Sequence, residues 1–410
     1  MAGTGGLLGT GDVTLLNGAK LKNNNSRPNI TNNIILGAGG GSIEAGWNNR
    51  NIDVNGTISG SGSLAITNDS SAVRMDGGNT HTGGTEVKGY AMTKTGAFGT
   101  GAVTLNDIHG ERGGIQNWEG LATHNNDLVV SANGGRLKAG WNNNLVFTGV
   151  TSGAGELTIQ QDSGYVVLSH GENTYSGDIV FEGGNSRLRV GSLESGNYTG
   201  KITGNGTIDF AGSGTQILAS SSVTAHTGST TVSDTMTLQV DGDLSSSQIF
   251  VRDGATVSGI GTLGVTTIEA GGTIAPGQSP GVISTANFTL ASLATYAAEI
   301  DGTTAGSGHD QIAVTGTVTL DGTLNAILTG SYVFGDEVIL IDNDGADAIV
   351  GTFTGLNEGD TAIVYGGYDW IALYGAGDGN DFALRAVPEP SSALLAGLGA
   401  LALLRRRRRA

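Results

Sequence analysis

The stretch GTISGSGSLAI at residues 56–66 recurs as GVTSGAGELTI at residues 149–159. In each copy two closely spaced glycines precede a short run in which apolar side chains alternate with a smaller or polar one, LAI and LTI. Alternation with a period of two residues is typical of a β-strand that buries one face. Glycine tolerates the tight corners that join such strands. The pattern therefore predicts short strands connected by glycine turns.

Other stretches repeat with a similar spacing. NTHTGGTEV at residues 79–87 returns as NTYSGDIV at residues 173–180, and AGWNNR at residues 45–50 returns as AGWNNN at residues 139–144. A single short strand cannot bury its apolar face, but stacked coils of strands cover one another. The repeats predict an all-β protein that contains a right-handed parallel β-helix, a form of β-solenoid. Trp47 and Trp141 occupy equivalent repeat positions, and we interpret them as corner or packing residues, with a stacking platform for sugars as the alternative.

The composition supports this class and excludes others. The 410 residues include 72 glycines, only 5 prolines and no cysteine, which excludes disulfides and thiolate chemistry. The formal net charge is −17, and without the five arginines near the C-terminus it is −22. A body this acidic is not expected to bind the phosphates of nucleic acids. The first residues show no basic and apolar signal segment, so for an exported protein we expect the true gene start to lie upstream of Met1.

Several of these stretches resemble a known repeat family. NTHTGGTEV, FGTGAVTL at residues 98–105 and GSGSLAI at residues 60–66 are similar to autotransporter-associated beta strand repeats. The segment from Gly259, GIGTLGVTTIEAGGTIAPGQSPGVIST, resembles the closing part of such arrays. The resemblance covers residues 1–290 and implies a β-helical surface protein without a defined catalytic site. No stretch of this sequence resembles the C-terminal outer-membrane barrel of an autotransporter, so we do not expect the protein to transport itself.

After residue 290 the alternating runs become longer, and we predict a β-rich domain or cap at residues 291–386. It would be a small β-sandwich or a final β-helical cap that covers the open end of the solenoid. Two acidic loops lie in this segment. DNDGAD, at residues 342–347, has the alternating oxygen ligands that begin a calcium loop, and AGDGNDFAL, at residues 376–384, resembles one nonapeptide of a calcium-binding roll. We predict no cofactor, because solvated Asp-Gly turns account for both loops. Calcium is the alternative, and its candidate ligands are Asp342, Asp344, Asp347, Asp378 and Asp381.

Catalytic motifs are absent or incomplete. GQSPG at residues 277–281 matches the pattern of a nucleophile elbow, but the residue after Ser279 is Pro280, which has no N–H for an oxyanion. We therefore predict no enzyme activity and no catalytic residue. The alternative is a carbohydrate-active β-helical enzyme, a polysaccharide lyase or hydrolase, which would need carboxylates clustered in a groove.

The chain ends AVPEPSSALLAGLGALALLRRRRRA. A Pro-Glu-Pro triplet precedes a short apolar run, and arginines follow it. Arginines favour the cytoplasmic side of a membrane, which would place the body on the opposite side. From Ser391 to Leu404 the 14 residues would span about 21 Å as a helix, short of a ~30 Å hydrocarbon core. A short anchor suits a segment that is later removed.

Residues 387–410 resemble a PEP-CTERM protein-sorting signal. The resemblance implies processing by an exosortase-type membrane enzyme in a Gram-negative bacterium that makes exopolysaccharide. We therefore expect an exported structural or adhesive protein of the cell envelope or exopolysaccharide matrix, anchored transiently in the inner membrane. Its expected partners are the processing enzyme, the membrane and exopolysaccharide. The sorting motif is Pro388, Glu389 and Pro390; the anchor residues are Ala393, Leu394, Leu395, Leu398, Leu401, Leu403 and Leu404; the topology residues are Arg405, Arg406, Arg407, Arg408 and Arg409.

Overall fold

The computed structural model shows an all-β protein in which parallel strands stack into a β-solenoid of about 12 turns. Within the described residues the helical structure is one 3-10 turn, Glu194–Gly196. The predicted all-β solenoid is therefore confirmed. The structure describes residues 8–23, 27–46, 50–68, 71–108, 113–160, 162–222, 225–345 and 347–389.

The chain divides into two compact units. The first comprises Met1–Leu238 and Ser246–Gln248, and the second comprises Gln239–Ser245 and Ile249–Ala410. The chain passes from one unit to the other within strands Thr235–Val240 and Gln248–Val251.

In the first unit each strand is hydrogen-bonded in parallel to the equivalent strand of the next coil. Paired residues are between 18 residues apart, from Thr85 to Val103, and 25 residues apart, from Val103 to Leu128. One ladder contains Val13–Leu15, Ile34–Leu36 and Ile58–Gly60. The next contains Ala19–Lys22, Gly41–Ala45, Leu64–Asn68, Thr85–Val87, Val103–Leu105, Leu128–Val130, Thr151–Gly153 and Thr174–Tyr175. Another contains Asn29–Ile30, Ile52–Val54, Ala72–Met75, Tyr90–Thr93, Gly114–Asn117, Gly135–Lys138, Leu157–Ile159, Ile179–Phe181, Ile202–Gly204 and Ala225–His226. The remaining strands are Ala122–His124, Leu145–Phe147, Val166–Leu168, Arg187–Val190, Thr207–Phe210 and Ser229–Val232, together with the pair Asn197–Tyr198 and Ser213–Leu218.

The core of this unit is filled by side chains at alternate strand positions, as the two-residue period predicts. Leu64 and Ile66 are completely buried, and the residue between them is partly exposed. Rings also pack against one another inside the coils, where the ring centroid of His124 lies 4.7 Å from that of Phe98 and 5.2 Å from that of Phe147. Burial lowers the pKa of His124 to about 4, so the ring packs in its neutral form.

Glycines at certain strand ends let neighbouring coils approach closely. Gly153 has a φ of +106°, and a Cβ atom there would lie 2.0 Å from the carbonyl oxygen of Val130 in the preceding coil. In the next coil it pairs with Tyr175, which is completely buried. Gly204 has a φ of +91° and pairs in the same way with buried His226. The repeat thus couples a glycine in one coil to a ring in the next.

A buried asparagine connects three coils at the start of these strands. Asn173 is completely buried; its Oδ1 accepts a hydrogen bond from the N–H of Thr151 at 2.8 Å. Its Nδ2 donates to the carbonyl oxygens of His170 at 2.8 Å and Ser192 at 2.9 Å. Asn79, at the equivalent repeat position, makes the same three types of bond. The amide therefore satisfies backbone groups that the corner leaves without a ladder partner.

We predict that Asn173→Ala destabilises the protein by about 1–3 kcal/mol, because it leaves the buried N–H of Thr151 without an acceptor. Denaturation in urea monitored by circular dichroism measures the change. The matched control is Asn125→Ala, since Asn125 is exposed and accepts one surface hydrogen bond from Thr148. An equal effect of the two substitutions would contradict the structural role of Asn173.

The second unit also contains parallel stacked strands. One ladder contains Asp243–Leu244, Thr262–Leu263, Val282–Thr285, Gln311–Val314 and Glu337–Asn343. A second contains Thr256–Gly259, Thr273–Pro276, Thr295–Ile300 and Thr323–Leu328, and a third contains Thr266–Ile268, Phe288–Leu290, Val318–Leu320 and Val350–Gly351. The stacking thus extends beyond residue 290, where the sequence pattern changes.

Three antiparallel strands follow. Asp381–Pro388 pairs with Glu337–Asn343 on one side and with Tyr368–Ala376 on the other, and the latter pairs with Thr361–Tyr365. This is the structure of the segment for which the sequence predicts a cap or a small sandwich. The short hydrophobic helix predicted within residues 387–410 lies outside the described residues. In the part of the chain that is described, no helix is both long and apolar enough to cross a membrane.

Candidate functional site

The predicted sorting motif starts where the last strand ends. Pro388 is the final residue of Asp381–Pro388 and lies opposite Tyr368 in the neighbouring strand. Proline is tolerated at this position because a strand end does not need its N–H. Within the strand, Arg385 is exposed and forms an ion pair with Glu337. The motif therefore leaves an ordered sheet without an intervening linker.

Aromatic side chains support the sheet at this end. Trp370 is completely buried and pairs with Ala386 of the last strand. The ring of Tyr332 meets that of Trp370 edge-on, with centroids 4.8 Å apart, and lies 6.0 Å from the ring of Tyr365. The hydroxyl of Tyr332 donates a hydrogen bond to the carbonyl oxygen of Ile300 at 2.9 Å. These contacts fix the base from which the tail departs.

Two predicted sorting residues, Pro388 and Glu389, are within the described part of the chain. Glu389 is partly buried and follows the strand directly. The other predicted residues lie outside it: Pro390, the anchor residues Ala393, Leu394, Leu395, Leu398, Leu401, Leu403 and Leu404, and the topology residues Arg405, Arg406, Arg407, Arg408 and Arg409.

The two acidic loops come together in the structure. The amide of buried Asn343 donates to the carbonyl oxygen of Asp347, and its backbone N–H donates to a carboxylate oxygen of Asp381 at 2.9 Å. Burial raises the pKa of Asp381, and the nearby charges of Asp342 and Asp378 raise it further. Hydrogen bonds between the two loops therefore hold this pair of turns together.

Four of the candidate calcium ligands are exposed, namely Asp342, Asp344, Asp347 and Asp378. Among the described residues, no group of three or more acidic or histidine side chains is arranged to hold a metal ion. Calcium binding at these loops stays the alternative to solvated turns. A rise of the thermal midpoint on addition of calcium, lost on chelation, would support it.

A small cavity contains the serine of the incomplete elbow motif. Its volume is about 280 Å³, and Glu299 and Asp301 contribute carboxylates to its wall. The hydroxyl of Ser279 donates a hydrogen bond to Glu299, and that of Thr329 donates to Asp301 at 2.9 Å. The volume is slightly below the range for ligand pockets, about 300–1,000 Å³. Ser279 has a carboxylate beside it where a catalytic serine would need a base such as histidine.

A buried carboxylate lies behind this cavity. Asp310 accepts hydrogen bonds from the N–H groups of Gly281 and Glu299, both at 2.8 Å. Burial raises the pKa of Asp310 to about 6, although these hydrogen bonds lower it and the Glu299 charge raises it. In the folded protein this carboxyl group therefore binds its proton more tightly than in the unfolded chain.

We predict that the stability contribution of Asp310 is fully present below its unfolded pKa of 3.8 and is lost as the pH rises through about 6. The Asp310→Asn variant should lack this dependence, because its amide does not titrate. It should also be less stable. The amide oxygen can accept from only one of the two N–H groups, and the NH₂ group cannot accept from the other. Thermal midpoints measured from about pH 4 to about pH 8 test both points. Parallel curves for the two proteins would contradict the assignment.

Trp141 lies on the surface. It is 81% exposed and lies in a turn, so of the two predicted roles, corner or packing, the structure has it at a corner. Gly140 and Asn143 bond to each other through both backbone groups, at 3.0 and 3.1 Å, and close the turn that carries the ring. The amide of Asn143 also donates to the carbonyl oxygen of Trp141 at 2.9 Å. The equivalent Trp47 lies outside the described residues.

The parallel coils define a β-solenoid, and the search of solved structures finds the crystal structure of a TibC-catalysed hyper-glycosylated TibA fragment. That match has 12% sequence identity and a TM-score of 0.22, and it covers 83% of this chain and 100% of the fragment. No curated protein matches.

The more specific finding concerns the tail. Residues 386–409 match the model of the PEP-CTERM protein-sorting motif. The resemblance of the tail to this signal is therefore confirmed. The motif implies processing by exosortase, a membrane enzyme, and an exported protein of the cell surface.

Sequence reasoning missed the structural roles of two recurring residues. Asn79 and Asn173 begin the repeated stretches that start with NT, and the amide of each bonds to backbone groups of neighbouring coils. Recurrence at the start of each repeat was the available signal. The cavity around Ser279 had no such signal, because its lining comes from separate coils.

Proposed function

We propose that this protein is a structural or adhesive component of the cell envelope or exopolysaccharide matrix. The PEP-CTERM match at residues 386–409 carries the proposal. A stacked β-solenoid supports it, because a repetitive core presents a long surface without requiring a catalytic centre. In this proposal the tail anchors the precursor in the inner membrane of a Gram-negative cell until exosortase removes it.

Fractionation of native cells tests the location. The proposal expects the mature body in the envelope or extracellular polysaccharide fraction, with mass spectrometry showing a C-terminus that lacks the arginines. A strain that produces the chain without residues 387–410 serves as the control. Recovery of the native protein in the cytosol alone would contradict the proposal.

The exposed ring of Trp141 supports a polysaccharide ligand. The face of a tryptophan ring on a closed turn can stack on the apolar face of a sugar ring. Because the turn already restrains the side chain, little conformational entropy is lost on binding. We expect Trp141→Ala to weaken sedimentation of the protein with the exopolysaccharide of its own cells. Leu121→Ala is the matched control, because Leu121 is 59% exposed and has no ring. Equal binding by both variants would remove Trp141 from the proposal.

The second candidate function is a carbohydrate-active enzyme. The observation that favours it is the cavity in which Glu299 and Asp301 lie together beside Ser279. Release of reducing sugars or unsaturated ends from native exopolysaccharide, lost in Glu299→Gln, would establish this activity. Unchanged polysaccharide after prolonged incubation would leave the structural role.

A further inference from the structure

A short turn is fixed to the strand from which the tail emerges. The N–H of Gly335 donates to the carbonyl oxygen of Ala386 at 3.0 Å, and the N–H of Ala386 donates to the carbonyl oxygen of Asp336 at 2.8 Å. Within the turn, the N–H of Val333 donates to the Asp336 carboxylate at 2.8 Å. Tyr332, at the start of the turn, is held by its bond to Ile300 and by its contact with a buried ring. The turn is therefore held at both ends.

The tip of this turn exposes two large apolar side chains. Val333 is 64% exposed and Phe334 is 65% exposed. The turn is ordered, yet its phenylalanine is exposed to water. Packing within the protein does not account for this apolar surface. Tyr365 and Tyr368, which pair with each other across a tight turn, lie at the same end of the sheet because Tyr368 is opposite Pro388. Aromatic side chains of this kind are enriched at membrane interfaces.

The length of chain after the last strand limits how far this end can lie from a membrane. The described strand ends at Pro388, and the apolar segment begins at Ala393. Five residues at ~3.3 Å each span at most about 17 Å. A bilayer has a headgroup layer about 5–7 Å thick on each side of its hydrocarbon core. We call the end of the sheet at Pro388 the tail root. Any membrane that holds the apolar segment is therefore close enough for the tail root to contact it.

The charges around the turn do not prevent this contact. The Asp336 carboxylate accepts a hydrogen bond from the N–H of Val333, and Arg385 on the adjoining strand forms an ion pair with Glu337. The body as a whole is strongly acidic, so it is not attracted electrostatically to an anionic surface. Contact must then come from apolar side chains, and the tail root presents them.

We propose that Val333 and Phe334 insert into the headgroup region of the bilayer that anchors the tail, so that a lipid surface is the partner of this turn. The inference rests on the proposed anchoring function and extends it. Insertion holds the body in one orientation and keeps the Pro388–Glu389 segment at a constant height above the membrane. Once the tail is removed, two apolar side chains alone form a reversible contact, and the body is released.

Site-specific fluorescent labelling tests this proposal, since the chain contains no cysteine that would react elsewhere. The full chain is reconstituted into vesicles of phosphatidylethanolamine and phosphatidylglycerol with a single label sensitive to polarity. The labelled variants are Phe334→Cys for the turn, Ala400→Cys for the apolar segment, and Leu293→Cys as the control. Leu293 is 77% exposed and lies at the other end of strand Thr295–Ile300 from the residue that Tyr332 contacts.

We expect a blue shift and quenching by headgroup-attached spin labels at position 334, quenching by deep spin labels at position 400, and neither effect at position 293. A quenched label at 400 with an unshifted label at 334 overturns the inference and leaves the anchor intact. An unquenched label at 400 overturns the anchor and the inference together. Equal shifts at 334 and 293 also overturn the inference, because they show contact that is not specific to the turn.

Discussion

We expect that replacing Arg405 through Arg409 with glutamate will leave the precursor unprocessed and weaken its retention in membranes. The arginines are expected to hold the C-terminus on the cytoplasmic side, because chain segments rich in Lys and Arg next to a membrane span remain on that side. Under the proposed anchoring, the apolar segment without arginines would have no preferred orientation, and the motif that begins at Pro388 would not be presented to a processing enzyme on the outer face. Fractionation of cells and mass spectrometry of the C-terminus measure both effects.

The matched control replaces the same five arginines with lysine. Lysine keeps the positive charge that determines topology, so membrane retention should be preserved. Processing of the lysine variant then shows whether charge alone or the guanidinium group is recognised. Mature protein outside the cells that still carries the arginines would refute the role of the tail as a removable sorting signal.

Gly153→Ala should destabilise the coils around it by about 2–5 kcal/mol. Its φ of +106° is unfavourable for any residue with a Cβ atom, and the added atom would lie 2.0 Å from the carbonyl oxygen of Val130. Backbone strain of about 1–2 kcal/mol combines with the cost of displacing a packed neighbour, about 1–3 kcal/mol. The pairing with buried Tyr175 in the next coil prevents an easy shift.

Hydrogen exchange is the measurement of choice, since stacked coils can open locally. Protection should fall in strands Leu128–Val130, Thr151–Gly153 and Thr174–Tyr175. Gly171→Ala is the matched control, because no atom lies within 4 Å of its added Cβ and its φ is not positive. The same loss of protection in both variants would show that the close approach of the coils is not the cause.

Much of the solenoid could be predicted from short stretches. The alternation in LAI and LTI gives the strands, and glycine pairs give the corners, because both are local properties of the backbone. Recurrence of whole stretches after about 93 residues indicates stacking, since equivalent units must meet equivalent neighbours. The sorting signal was recognisable for a similar reason. Its triplet, apolar run and arginines are contiguous and act through local chemistry.

The structure was needed wherever coils of unequal length meet. Paired residues are separated by 18 to 25 positions in the first unit, so the partner of a given residue cannot be read from one fixed offset. The sequence indicates that Trp141 lies at a corner, but only the structure shows that its ring is 81% exposed.

The sequence alone determined the all-β class, the repeated strands and the sorting tail, because each depends on residues that are close together in the chain. Only the tertiary structure showed that Gly153 lies against Val130, that the two acidic loops meet through Asn343, and that an apolar turn adjoins the tail root. These contacts join residues from separate coils and strands. Their partners depend on the cumulative register of stacked strands, to which every intervening turn contributes.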